Sequence, residues 1–112
     1  MEKNQTELKL PAGVSQDQMD VWKKQYGKLI VVSIEDEEGQ ENIVIFKRPT
    51  KDILAASTRK AKTDETEAVY FMYENCVLSA DETVKKDDIM KLSAATQLGE
   101  LLGGYKVKRM NY

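Results

Sequence analysis

Residues 28–47 read KLIVVSIEDEEGQENIVIFK, and this stretch decides the fold. Lys28-Leu29-Ile30-Val31-Val32-Ser33-Ile34 and Asn42-Ile43-Val44-Ile45-Phe46-Lys47 are rich in branched residues, which suit a pleated strand. The connection Glu35-Asp36-Glu37-Glu38-Gly39-Gln40-Glu41 is polar and carries a glycine, so the two runs predict an antiparallel hairpin. In the second strand Ile43, Ile45 and Lys47 face one way and Val44 and Phe46 the other, because successive side chains alternate. Both faces are partly apolar. Each must therefore be covered, or the hairpin must pair further.

On the N-terminal side, Ser15 offers a helix cap with Gln18 at the capping-box spacing. Met19, Trp22 and Tyr26 follow at intervals of three and four, and Gly27 supplies a left-handed stop. This predicts a short amphipathic helix with Trp22 as its anchor in the core. Residues 1–14 are polar and broken by Pro11 and Gly13, with Leu8, Leu10 and Val14 as apolar points. They read as a flexible arm, or as one short extended segment laid on the domain.

On the C-terminal side, Pro49 ends the second strand, since proline cannot donate to the ladder. Thr50 then caps a helix carrying Ile53, Leu54, Ala56 and Ser57 that runs out near Lys62. Asp64 and Glu67 open the next helix, with Val69, Met72, Tyr73 and Cys76 on one stripe. Tyr70 and Phe71 flank that stripe, so this element is the most aromatic and is expected to be the most buried. Ser79-Ala80-Asp81 reads as a corner pinned by Val84. Asp87-Asp88 begins the longest helix, marked by Ile89, Met90, Leu92, Ala94, Ala95, Leu98, Leu101 and Leu102 and stopped by Gly103-Gly104. Gly99 within it costs about 1 kcal/mol relative to alanine and so marks an expected close helix–helix approach.

The expected fold is α+β and dominated by helix: a short N-terminal helix, an antiparallel β-hairpin, then three helices packed on it. One hairpin is marginal by itself, which is why the helices must cover it. The domain spans residues 15–104, followed by a basic tail over 105–112 in which Lys106, Lys108 and Arg109 meet no acid.

Composition narrows the chemistry. The 112 residues are 41% hydrophobic and 32% charged, enough for one modest core under a charged surface. Histidine is absent and Cys76 is the one cysteine, which excludes a disulfide framework, every histidine-based triad and a soft-ligand zinc site. Seventeen Lys and Arg against nineteen Asp and Glu give a net charge of −2, without the basic excess that phosphate neutralisation demands of a nucleic-acid module. The basic groups Lys47-Arg48 with Lys51, and Arg59-Lys60 with Lys62, are interleaved with acids and read as a solvated face. The longest apolar run is Leu29 to Val32, far short of the ~20 residues a membrane span needs. The start, Met1-Glu2-Lys3-Asn4, lacks the apolar core of a signal peptide, so a reducing cytoplasm is the expected location.

No constellation points to catalysis. Cys76 has no histidine to deprotonate it and lies on an apolar stripe, which reads as a small buried hydrophobe. The acidic tip Glu35 to Glu41 lacks the EF-hand spacing and reads as a solvated turn, not a metal site. Gly99 and Gly103-Gly104 interrupt and end a helix, which is no phosphate loop. Neither a cofactor nor a metal is expected. The domain reads as a binding protein.

Three pieces in this order carry a resemblance. They are Trp22-Lys23-Lys24-Gln25-Tyr26-Gly27-Lys28 before the first strand, Phe46-Lys47-Arg48-Pro49-Thr50 between strand and helix, and Glu74-Asn75-Cys76-Val77-Leu78 closing the aromatic helix. Together, over roughly residues 19–102, the chain resembles the small tail assembly chaperones of long-tailed bacteriophages and their prophage relatives. The chain departs from that pattern after Cys76, where Val77, Leu78, Ser79 and Ala80 replace an aromatic residue and a glycine pair, and in its longer acidic tip.

The resemblance implies a non-enzymatic protein of the bacterial host cytoplasm. Such a chaperone binds the tape-measure protein, helps recruit tail-tube subunits around it, and is absent from the mature virion. Within the shared motifs Trp22, Tyr26, Gly27, Phe46, Pro49, Thr50, Asn75 and Cys76 are expected to serve the fold. Arg48 and Lys51 are the candidate partner contacts, Arg48 having no evident folding duty. Met19, Met72 and Met90 are candidates for adaptable contact with an apolar helix, with core filling as the competing duty of each. The alternatives are a structural tail-completion or head–tail joining protein, and a nucleic-acid-binding regulator acting through Lys106, Lys108 and Arg109.

Overall fold

The computed structural model describes residues 13–102 and 108–111, without the side chains of residues 101 and 102. The expected arm over residues 1–14, the Gly103-Gly104 stop and the basic tail over 105–112 lie wholly or largely outside the described residues. The described chain is an α+β fold with the elements α1 (Gln16–Tyr26), β1 (Ile30–Glu35), β2 (Glu41–Phe46), α2 (Lys51–Ala61), α3 (Glu65–Cys76), β3 (Val77–Ala80), α4 (Glu82–Lys85) and α5 (Asp88–Leu102).

The hairpin forms as its alternation demands. β1 and β2 pair antiparallel, with Val32 opposite Val44 and Ile30 opposite Phe46. At the tip, Asp36 folds the acidic loop on itself. Its Oδ1 accepts the amides of Glu38 and Gln40, each at 2.9 Å, while Gly39 takes φ of 81°, a conformation glycine adopts without strain. These amides hold the Asp36 carboxyl below its ordinary value, the bond from Gln40 contributing most.

The sheet does not stop at two strands. β3 pairs antiparallel with β2, so the order is β1-β2-β3 and β2 is central. This corrects the expected corner at Ser79-Ala80-Asp81, and a one-turn helix, α4, follows it. Centrality explains burial. Asn42 through Phe46 are buried in an unbroken run, so β2, and not α3, is the most buried element. Asn42 is the buried polar residue there, and its amide donates to the carbonyls of Ile34 at 3.3 Å and Gln40 at 3.2 Å.

Two apolar clusters cover the two faces. On one, Val32, Val44, Phe46 and Ala80 meet Tyr73 and Cys76 of α3, Val84 of α4, and Ala94, Ala95 and Leu98 of α5. On the other, Ile43 and Ile45 meet Met19, with Trp22, Val14, Leu29, Val31 and Leu78 packed around them. Met19 is thus the buried anchor of α1 and Trp22 is half-buried.

The register explains why Leu78 joins the second face. Ile45 opposes Ser79 while Phe46 opposes Val77, so the ladder skips Leu78 and the strand bulges there. Without the bulge Leu78 would share a face with Ala80, since faces alternate with period two.

The helix starts follow their capping residues. Ser15 Oγ accepts from Gln18 at 3.1 Å, Thr50 Oγ1 from Ile53 at 3.3 Å, and Asp64 Oδ1 from Glu67 at 3.1 Å. Asp87 Oδ1 accepts from Ile89 at 2.9 Å and Met90 at 3.2 Å, which starts α5. Val84 is fully buried, as a pin should be. Among the described residues Gly99 does not mark a close approach: a Cβ built there meets none of them within 4 Å.

Candidate functional site

The three segments that carry the resemblance meet at one corner, and Lys47 is where they join. Its backbone N–H donates to the Cys76 carbonyl at 2.9 Å, tying the end of β2 to the end of α3. Its Nζ lies 5.0 Å from the centroid of the Tyr26 ring at the end of α1, within cation–π range. One residue earlier, Phe46 is fully buried with its ring edge-on to Tyr73, centroids 5.7 Å apart and planes at 85°. Gly27 lets the chain leave α1 toward β1: its φ is 81° and its N–H closes on the Lys23 carbonyl at 2.9 Å.

The remaining motif residues have legible local duties. Thr50 caps α2, and Pro49 is half-buried beside it. Asn75 is exposed and its side-chain amide returns to the Phe71 carbonyl at 2.8 Å. Cys76 is fully buried, with its sulfur 3.8 Å from that of Met72. Burial pushes its thiol up to about 11, and the opposing pull of the Lys47 charge is the smaller effect. A nucleophilic cysteine needs the reverse, a stabilised thiolate.

Arg48 on the connection from β2 to α2 and Lys51 at the start of α2 are both exposed. Lys51 is the first residue of α2, where a cation opposes the helix dipole, so the helix gains nothing from that charge.

A separate surface came from no sequence signal. Between α2, α3 and α5 runs a largely apolar groove of 350 Å³ lined by Ser57, Ala61, Glu65, Ala68, Val69, Met72, Ala95 and Gly99. It exists because the residues facing it are small. α2 packs on α3 without burying a single residue of its own, and Leu54 is left exposed. Of the three methionines considered for adaptable contact, Met19 is core, Met72 and Met90 both pack against the main cluster, and Met72 also lines this groove. Arg48 and Lys51 are not among its lining residues.

Among the described residues, no group of three or more histidines, cysteines or carboxylates is arranged to hold a metal ion. No helix among them is long and apolar enough to cross a membrane.

No protein-family profile and no curated protein matches this sequence. The chain is similar in structure to an uncharacterised protein from Bacillus stearothermophilus, with a TM-score of 0.57 and 19% identity over 83% of this chain and 99% of that one. At that identity the likeness establishes a shared fold.

Proposed function

We propose that this chain is a non-enzymatic tail assembly chaperone of a long-tailed phage or prophage, acting in the host cytoplasm. It binds the tape-measure protein, helps bring tail-tube subunits to it, and leaves before the particle is finished. The observation that carries this reading is the junction at Lys47. The three segments behind the resemblance, far apart in sequence, are tied together there through Tyr26 and Cys76.

The physics of the task suits the domain. A tape-measure protein presents long apolar helix faces, which aggregate until covered. The α2–α3–α5 groove, floored by alanines, a glycine and Met72, gives such a face a shallow apolar bed. Arg48 and Lys51 add charged contacts at the far end of α2. The 32% charged content keeps the complex in solution.

Co-expression with the tape-measure protein of the same phage tests the proposal. Soluble tape-measure protein is expected to increase and to co-purify with this chain, and mass spectrometry of purified particles is expected to find none of it. Unchanged solubility without co-purification refutes the proposal. A fixed copy number in the particle would instead mark a structural tail component.

A further inference from the structure

Among the described residues β3 is an edge strand, paired with β2 on one side only. Beyond that ladder, Leu78, Ser79 and Ala80 enter no backbone hydrogen bond among the described residues. A cavity of 260 Å³ follows this edge, lined by Val77, Leu78, Ser79 and Ala80 together with Tyr73, Lys85 and Lys91. Strand side chains divide between two faces, so a cavity that touches four successive residues runs along the strand's edge and not across one face.

Two further features say what chemistry would fill it. Tyr73 is 5% exposed and its ring is held by Phe46, yet its hydroxyl has no hydrogen-bond partner among the described residues. Buried hydroxyls ordinarily have one. The charged residues among the described lining of the cavity are Lys85 and Lys91. Lys85 Nζ is 3.2 Å from Glu82, and Lys91 Nζ reaches Asp88 only at 3.8 Å, beyond hydrogen-bond length. Among the described residues the edge thus offers unpaired backbone groups, the Lys85 ammonium already paired with Glu82, the Lys91 ammonium held only loosely by Asp88, and a tyrosine among the lining residues. None of the described residues lining the cavity is a carboxylate.

We infer that the open edge of β3 is a strand-addition site for an extended, acidic segment of a partner protein. The segment's backbone continues the sheet past β3, and its carboxylates meet Lys85 and Lys91, with the Tyr73 hydroxyl donating to one of them. An edge this short and lysine-flanked resists casual pairing, which makes charge the selector. The site is separate from the α2–α3–α5 groove, so it stands or falls independently of the assembly role.

The test uses the full chain and three fluorescein-labelled decapeptides. One alternates Glu with Val and Thr, one carries Lys in place of Glu, and one is the acidic peptide with a central proline. Binding is read by fluorescence anisotropy, and the contact is located from amide shifts in NMR spectra. The acidic peptide is expected to bind and to shift the amides of Leu78, Ser79 and Ala80. The lysine and proline peptides are expected to bind at least about tenfold more weakly. Lys85→Gln with Lys91→Gln is expected to weaken the acidic peptide about tenfold, and Tyr73→Phe about threefold. Tyr73→Phe keeps the ring, Lys85 is exposed and Lys91 half-buried, so loss of fold in one variant leaves the other decisive. No binding by the acidic peptide at millimolar concentration, equal binding of the acidic and lysine peptides, or shifts that map away from β3, overturns the inference.

Discussion

The Asp81 carboxylate accepts the backbone N–H of Ile43 at 2.7 Å, across 38 residues of chain, and the Asp81 N–H returns to the Ile43 carbonyl at 3.0 Å. Asp81 stands at the N-cap of α4 but makes no side-chain cap bond there. Its carboxylate serves the central strand instead, and this two-way clamp fixes where β3 ends and α4 begins.

Removing the clamp leaves the amide of a buried residue unpaired, since Ile43 is 3% exposed. Asp81→Ala is expected to cost about 1.5–3 kcal/mol, and Asp81→Asn, which keeps an uncharged acceptor, about half as much. Urea unfolding measures both. A change below about 0.5 kcal/mol for the alanine variant would mean that the bond is not made in solution.

The contact between Lys47 and Tyr26 is expected to show a coupling of about 0.5–1 kcal/mol in a double-mutant cycle of Lys47→Met and Tyr26→Leu. Additive losses in the cycle would show that the pair adds nothing to the apolar packing of Met19 and Trp22 in holding α1.

The hairpin and the helices could be read from the sequence because their signals are local. Alternation around Val44 set the strand faces, and Ser15, Thr50 and Asp64 announced helix starts with their own side chains. β3 could not be read that way. Val77-Leu78-Ser79-Ala80 is short, follows Cys76 without a break, and loses its alternation at the Leu78 bulge. Only pairing with β2 makes it a strand, and that pairing is tertiary. The same holds for the site. Lys47 looked like one basic residue among several, and nothing local announces that its amide meets Cys76 or its ammonium Tyr26. The groove was hidden for another reason: Ala61, Ala68 and Ala95 on three different helices leave a space that no single periodicity records.

Cys76 gives an alkaline signature. The thiol stays protonated in the folded chain up to about 11, against an ordinary 9.0, so the unfolded chain ionises first as pH rises. The contribution is fully present below pH 9.0 and is lost between there and about 11, by roughly 3 kcal/mol in the limit of complete burial. Cys76→Ala lacks that loss, so its stability relative to the parent should improve across this window. Equal alkaline slopes for the two chains would argue that the thiol is not buried. Native labelling with iodoacetamide should likewise be slow until urea is added.

Asp36 works in the opposite direction. Its depressed carboxyl contributes stability above the ordinary value near 3.8, and that contribution is lost as pH falls through the lower folded value. Asp36→Asn removes this dependence, so the gap between parent and variant should narrow as pH is lowered below 3.8. A gap that stays constant with pH would show that the tip is held by its backbone bonds alone.

Gly99 separates the needs of folding from those of the proposed partner. Among the described residues a Cβ there meets nothing within 4 Å, and alanine is the better helix former, so Gly99→Ala is expected to stabilise the chain by about 0.4–1 kcal/mol. The same methyl group would stand in the groove beside Ala95 and Met72. If a tape-measure helix lies in that groove, Gly99→Ala should raise the melting temperature and lower co-purification of the partner together. A stabilised variant that captures the partner as well as the parent does would move the contact away from the groove, with Arg48 and Lys51 next to be tested.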